Sequence, residues 1–215
     1  MPLLLHENLP FCGELGLWQI AEEEAYFQQK MPLTVREQTE LAAIKGEKRR
    51  LEWWSGRYLL HQMSGRSQRG ECYKDQFGKP YLDASPFAIS ISHSHGIAAV
   101  VAAPISVGID IQKKVEKIER IAHKFMRPEE TASLEAATRL EQLHVYWGAK
   151  EALYKAYGRR QLDFKAHISI EPFELEEYGD TLQGKVQKGD YQSDFQLWYR
   201  LLEDYVLVYA MELEQ

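Results

Sequence analysis

The chain reads as an α+β protein of two similar halves, residues 1–105 and 106–215, each with helices packed on a small antiparallel sheet. Three features predict this. Helical spacing dominates 14–63 and 115–158, and apolar runs bounded by turn signals dominate 77–104 and 168–212. The order of helices followed by a hairpin occurs twice, with a join near 104–113, so the pair forms a pseudo-dimer within one chain.

Residues 14–30, "ELGLWQIAEEEAYFQQK", carry helical spacing. So do residues 34–63, where Leu41, Ile44, Leu51, Trp54, Tyr58 and Leu59 recur at three- and four-residue steps and Gly46 marks a break. A polar stretch at 64–76 leads to "FGKPYLDAS", a loop set by Gly78 and Pro80. "FAISISHSHGIAAVVAAP" is two apolar runs about a His-Gly turn, a β-hairpin, and "VGIDIQ" is a further strand. From Val115 to Gly158 the pattern is helical, with a start at "RPEE" and Gly158 as the C-cap. "HISIEPFEL", "TLQGKVQKG" and "FQLWYRLLEDYVLVYAMEL" complete a β-rich end, the last a hairpin about Glu203-Asp204.

With 215 residues, 45% hydrophobic and 27% charged, the chain can bury a real core and is not a disordered composition. No run approaches 18 apolar residues, and the start lacks a basic region and a cleavage site, so neither a membrane span nor a signal peptide is expected. Cys12 and Cys72 show no metal or redox spacing and suit a reducing compartment, so a cytoplasmic location is expected. A net charge of −6 argues against general nucleic-acid binding.

Alternation along "SVGIDIQ" puts Val107, Ile109 and Ile111 on one face and Gly108, Asp110 and Gln112 on the other. The second face is either solvated or holds a partner for Asp110, since an acid between β-branched residues is disfavoured in a strand. In "YWGAKEALYKAYG" (146–158), Lys150, Glu151 and Lys155 fall within little more than one helical turn. Glu151 and Lys155 are either a surface pair at i,i+4 or, with Asp110, ligands and counter-charges for Mg²⁺ and phosphate. "SISHSHG" clusters Ser92, His93, Ser94 and His95 without a zinc spacing, which suits phosphate contact. "GEKRRLEWWSGR" places Lys48, Arg49, Arg50 and Arg57 on a helix, either as a solvated face or, for Arg57 beyond Trp53-Trp54, as a bidentate grip on a phosphate. No Walker loop, nucleophile elbow or G-x-G-x-x-G fingerprint occurs, so a nucleotide has to be held by side chains.

Taken together, "GIDIQ" (108–112), "FMRPE" (125–129) and "WGAKEALYKAYG" (147–158), with "FGKPY" (77–81) and "ISISHS" (89–94), resemble the 4′-phosphopantetheinyl transferases of the long, pseudo-dimeric type. The resemblance spans about residues 45–160 in the family's order. It implies transfer of the phosphopantetheine arm of coenzyme A to a serine of an apo acyl or peptidyl carrier protein, releasing adenosine 3′,5′-bisphosphate. It further implies that Asp110 and Glu151 ligate Mg²⁺, with Gln112 in the place of a frequent third acid. Lys155 would stabilise the departing phosphate, and Lys150 would lie beside the pyrophosphate. Glu129 would be a base or a site-organising acid, while the base itself is either Glu151 or a metal-bound water. Ser92 and His93 would contact coenzyme A phosphates, Gly78, Lys79 and Pro80 would line the adenine, and Arg57 would reach a phosphate. The resemblance also implies that the N-terminal half supplies the coenzyme contacts and the C-terminal half the metal and catalytic motifs. A monomer is expected, and the basic segment 113–127 is a candidate dock for an acidic carrier. The alternatives are a non-catalytic coenzyme A or carrier-binding module of the same fold, or a structural α+β protein with purely surface charges.

Overall fold

The computed structural model describes residues 2–213. These fall into two compact units that divide between Pro104 and Ile105. Among the described residues, no helix is long and apolar enough to cross a membrane.

The first unit opens with a strand pair, β1 (Leu3–Leu9) and β2 (Gly13–Gln19), joined by a 3₁₀ turn at Pro10–Cys12. The helices α1 (Glu24–Lys30), α2 (Val35–Ala43) and α3 (Glu47–Ser64) follow. Short strands β3 (Cys72–Lys74) and β4 (Pro80–Leu82) precede the hairpin β5 (Ala88–Ser94) and β6 (Ile97–Ala103). The sheet runs β1-β2-β6-β5-β4-β3 with antiparallel neighbours. His95 and Gly96 both take positive φ, 45° and 87°, the left-handed pair that closes a two-residue hairpin turn. Gly46, at φ 89°, separates α2 from α3 as its sequence position suggests.

Residues 14–30 are not one helix. Residues 13–19 are β2, which pairs with β1 on one side and β6 on the other. Leu15, Leu17 and Trp18 are all buried, so this strand carries apolar side chains on both faces. Its sequence lacks the period of two that marks a half-buried strand, and only α1 keeps the expected helix. The first half therefore begins with strands, and the repeated order of helices followed by a hairpin is incomplete there. α3 packs on β2, β5 and β6 over a core that includes Phe27, Trp54, Leu59 and Val100.

The second unit starts on β7 (Val107–Lys113), then α4 (Ile118–Phe125), α5 (Pro128–Ala132) and the long α6 (Arg139–Tyr157). Gly158 caps α6 in the left-handed region at φ 68°. Strands β8 (Ile168–Ile170), β9 (Thr181–Lys188), β10 (Tyr191–Leu201) and β11 (Tyr205–Glu212) complete a sheet ordered β7-β11-β10-β9-β8. β10 and β11 form the expected hairpin about Glu203-Asp204, whereas only residues 168–170 of "HISIEPFEL" pair as a strand.

α6 lies unusually close to the sheet. A Cβ built on Gly108 of β7 would sit 1.8 Å from the carbonyl oxygen of Ala152 and 2.8 Å from Ala156 N. One built on Gly148 would meet Val208 Cγ2 at 2.8 Å and Gln112 Nε2 at 3.1 Å. Gly148, Ala152 and Ala156 thus make a ridge of small residues at i, i+4 and i+8 against β7. Because the obstacle at Gly108 is helix backbone, no rotamer change relieves it. Gly108→Ala should cost about 3 kcal/mol, read as a fall in the midpoint of thermal unfolding. An unchanged midpoint would show that α6 has room to move away.

Candidate active site

The close contact between α6 and β7 brings Asp110, Glu151 and Lys155 to one place. Asp110 is only 7% exposed. Its position on β7, paired with Val208, turns it to the same side as Gly108, under the helix. One turn of α6 separates Glu151 from Lys155, which is the i,i+4 spacing that lets both reach β7. Lys155 Nζ donates to Asp110 Oδ1 and to the carbonyl oxygen of Ile109, each at 2.8 Å. Burial raises the pKa of Glu151, the negative charge of Asp110 raises it further, and Lys155 pulls the other way. A carboxyl whose ionisation is opposed by burial and by a second carboxylate is favoured in its charged form by a nearby hard cation.

The donor set fits Mg²⁺. Among the described residues no group of three or more His, Cys, Asp and Glu is arranged to hold a metal ion, and Mg²⁺ is commonly held by one or two carboxylates with substrate phosphates and water. Gln112 does not have the geometry expected of it as a ligand. Its Nε2 donates to the carbonyl oxygen of His144 at 3.0 Å, and its Oε1 lies 2.9 Å from His144 Nδ1. The amide oxygen is therefore engaged with histidine, while the NH₂ group faces Asp110 Oδ2 at 3.4 Å.

Two further expectations change. Lys150 is fully buried and does not present a charge to a phosphate. Its Nζ donates to Glu130 Oε2 and Phe125 O, both at 2.7 Å, and lies 3.1 Å from Phe164 O and 3.4 Å from Ile168 O. Burial lowers its pKa, against the pull of Glu130. The physical reason is helical rotation: Lys150 turns toward the core, while the next residue, Glu151, faces β7. Glu129 is likewise not the organising acid. It is exposed and pairs with Arg127 at 2.8 Å, whereas Glu130 is fully buried. Glu130 accepts from Lys150 and from Arg127 N through Oε2, and from Ile170 N through Oε1. A sequence signal did separate the two acids. With Pro128 at the first helical position, Glu130 falls at N3, where an acid reaches back to the N-cap amide.

The first unit holds a cleft of about 600 Å³ whose walls include Lys45, Arg49, Trp53, Arg57, Lys74, Gly78, Pro80 and His93. Four of the predicted contacts, Arg57, Gly78, Pro80 and His93, are on this wall. Lys79 and Ser92 are not. Ser92 alternates to the opposite face of β5 from Ile91 and His93, which explains its absence. Lys45, Arg49 and Lys74 are additions. Arg49, Trp53 and Arg57 stand at i, i+4 and i+8 on α3, so that stripe was readable from the spacing.

Each wall is braced. The guanidinium of Arg57 stacks 3.8 Å from the Trp53 ring centroid and donates to Glu40 Oε2 at 2.8 Å. Lys74 Nζ reaches the other Glu40 oxygen at 3.1 Å. Asp75 Oδ1 accepts from the amides of Phe77 and Lys79 at 2.8 and 2.9 Å, which folds the loop around Gly78, at φ 91°. One turn before Glu40, Glu37 is buried in an ion pair with Arg69 and completes the capping box with Thr34. The cleft thus carries four basic side chains, two of them held by Glu40, against one lining acid, Glu52, and it includes an aromatic ring, a set that suits a phosphorylated ligand.

Comparison with known proteins identifies the family. A family model described as 4′-phosphopantetheinyl transferase superfamily matches residues 106–210, and one described as 4′-phosphopantetheinyl transferase N-terminal domain matches residues 37–103. The chain belongs to the 4′-phosphopantetheinyl transferase superfamily. A relative from Bacillus subtilis, a 4′-phosphopantetheinyl transferase, is 33% identical over 112 residues, 45% of this chain. That match spans 49% of the relative, about half of its length.

Two stability outcomes follow from the buried charges. Lys150→Met strands the Glu130 carboxylate in the core and should cost about 3–5 kcal/mol. Lys150→Met with Glu130→Gln should recover much of that in denaturant titration. A double variant as unstable as the single one would show that the pair is not coupled. For Glu37, burial is the largest influence and pushes its pKa upward, but Arg69 and the amides of Thr34 and Cys72 outweigh it and the net value is lowered below 4.5. Its stabilisation is therefore present above the ordinary glutamate range and lost as pH falls through the lower folded-state value. Glu37→Gln should be markedly less stable than wild type at pH 7, and the gap should close in acid. A gap independent of pH would contradict the ion pair's role.

Proposed function

We propose that the protein transfers the 4′-phosphopantetheine arm of coenzyme A to a serine hydroxyl of an apo acyl or peptidyl carrier protein, with Mg²⁺ and release of adenosine 3′,5′-bisphosphate. The observation that carries this reading is the Asp110–Glu151 pair, with Lys155 fixed at 2.8 Å from Asp110. A coenzyme A diphosphate is the kind of ligand that a two-acid cation site requires, because its oxygens complete the coordination.

In this reading the serine oxygen attacks the phosphorus that bears the pantetheine arm. The new P–O bond forms as the bond to the adenosine 3′,5′-bisphosphate oxygen breaks. Mg²⁺, when bound, supplies charge neutralisation on the diphosphate. Asp110 and Glu151 hold it, and the charge of Lys155 offsets that gathering on the leaving oxygen. The serine proton passes to Glu151 or to water held beside it. The cleft of the first unit would take the coenzyme's nucleotide end, with Arg49, Arg57 and His93 toward phosphate and Gly78 and Pro80 against the base. On α4, Arg120, His123 and Lys124 point to solvent while Ile118 and Phe125 are buried, which supports the basic segment as the carrier dock. A monomer is the proposed working form.

The test is mass spectrometry of an apo carrier protein incubated with enzyme, coenzyme A and Mg²⁺. Wild type should add one phosphopantetheine arm, and Glu151→Gln should slow the addition by at least about 100-fold. Arg49→Ala should raise KM for coenzyme A about tenfold, the value of one charge-assisted hydrogen bond, and leave KM for the carrier unchanged. Binding of coenzyme A with no transfer to any of several carriers would instead support a non-catalytic binding module.

A further inference from the structure

Gln112 and His144 are locked together more tightly than a supporting contact requires. Gln112 Nε2 donates to the main-chain oxygen of His144, which identifies the nitrogen end of the amide. The amide oxygen can only accept, so the proton on the ring sits on Nδ1, 2.9 Å away. His144 Nε2, without a proton, then accepts from Val115 N at 2.9 Å, the shorter of its two contacts with that residue, the carbonyl oxygen of Val115 lying 3.2 Å away. Turning the amide over would set its oxygen against the His144 carbonyl and its NH₂ against the Nδ1 proton, two repulsive contacts in place of two hydrogen bonds. His144 is 1% exposed, and burial lowers its pKa, which keeps the ring neutral.

The locked amide faces the site. Its NH₂ is 3.4 Å from Asp110 Oδ2, and Lys155 donates to Oδ1 at 2.8 Å, so each carboxylate oxygen faces a donor. Gly148 gives the amide its space, since a Cβ there would lie 3.1 Å from Gln112 Nε2.

We propose that His144 and Gln112 form a positioning pair: His144 fixes the amide, the amide orients Asp110, and Gln112 stays outside the coordination shell of the cation. Neither residue is a ligand, yet both determine how well Asp110 is aimed at the metal. The inference rests on the proposed cation site at Asp110 and Glu151.

The test is Mn²⁺ binding to the full chain, without coenzyme A or carrier, followed by the electron paramagnetic resonance signal of free Mn²⁺. His144→Leu and Gln112→Leu should each weaken binding by about tenfold, the usual effect of losing a residue that orients a ligand. His144→Asn, whose amide can replace the Nδ1–H donor, should bind within about threefold of wild type. The His144→Leu/Gln112→Leu double variant should bind no more weakly than either single variant, because the two act as one unit. Wild-type affinity in Gln112→Leu, or additive losses in the double variant, would overturn the proposal. Gln112→Leu decides the matter by itself should His144→Leu fail to fold. Absence of Mn²⁺ binding by wild type would overturn it together with the cation site. Carrier modification by wild type with a flat Mn²⁺ series would overturn this inference alone, and the expected series without carrier modification would leave it standing while the transferase reading fell.

Discussion

The second unit depends on one contact, the backbone of α6 against Gly108 of β7. A missing Cβ lets the carbonyl of Ala152 come where any side chain would collide at 1.8 Å. Close approach at that point sets the rotation and height of the helix over the strand. Glu151 and Lys155, one turn apart, then reach Asp110, while Gln112 fits beneath Gly148. The first unit uses a related device. Gly56 of α3 brings the helix against β5, where a Cβ would lie 2.9 Å from Ile91 Cγ2 and 3.0 Å from His93 Nε2. A strand glycine in the second unit and a helical glycine in the first thus set how near the helix lies to a strand that carries a site residue.

Each unit also keeps a buried ion pair next to its candidate site residues. Lys150–Glu130 adjoins Glu151, and Glu37–Arg69 lies one turn before Glu40, which holds Arg57. Such pairs are a poor source of net stability, because desolvation offsets most of their attraction. What they provide is geometry. Glu130 gathers α6, the start of α5 and β8 through Lys150, Arg127 N and Ile170 N, and a carboxylate with that many fixed partners tolerates few alternative arrangements. The adjacent residues of "KE" in α6 thus differ in place: Lys150 is held in the core by Glu130, and Glu151 lies toward β7 near the charge of Asp110.

Much of this was legible in the sequence, and the failures share a cause. The hairpins at 88–103 and 191–212, the break at Gly46 and the cap at Gly158 follow from local turn and cap chemistry, which a sequence displays directly. The strand at 13–19 was misread because pairing on both edges and burial on both faces erase its alternation. Asp110, Glu151 and Lys155 stood out because residue type and spacing suffice to put them on facing sides of a strand and a helix. The roles of Lys150, Glu129 and Glu130 turn on which way a helix faces, and a local pattern shows that only at capping positions such as N3. Gln112 differs again. Its orientation is decided by His144, 32 positions along the chain, and by the tautomer that contact enforces.

The measurement that bears most directly on the proposed cation site is anomalous X-ray diffraction from crystals soaked with Mn²⁺ and coenzyme A. The expected result is a manganese peak bound by the carboxylates of Asp110 and Glu151 and by diphosphate oxygens, with Lys155 still beside Asp110. A peak elsewhere, or coenzyme A bound with no metal at these two acids, would contradict the site on which the proposed transfer is built.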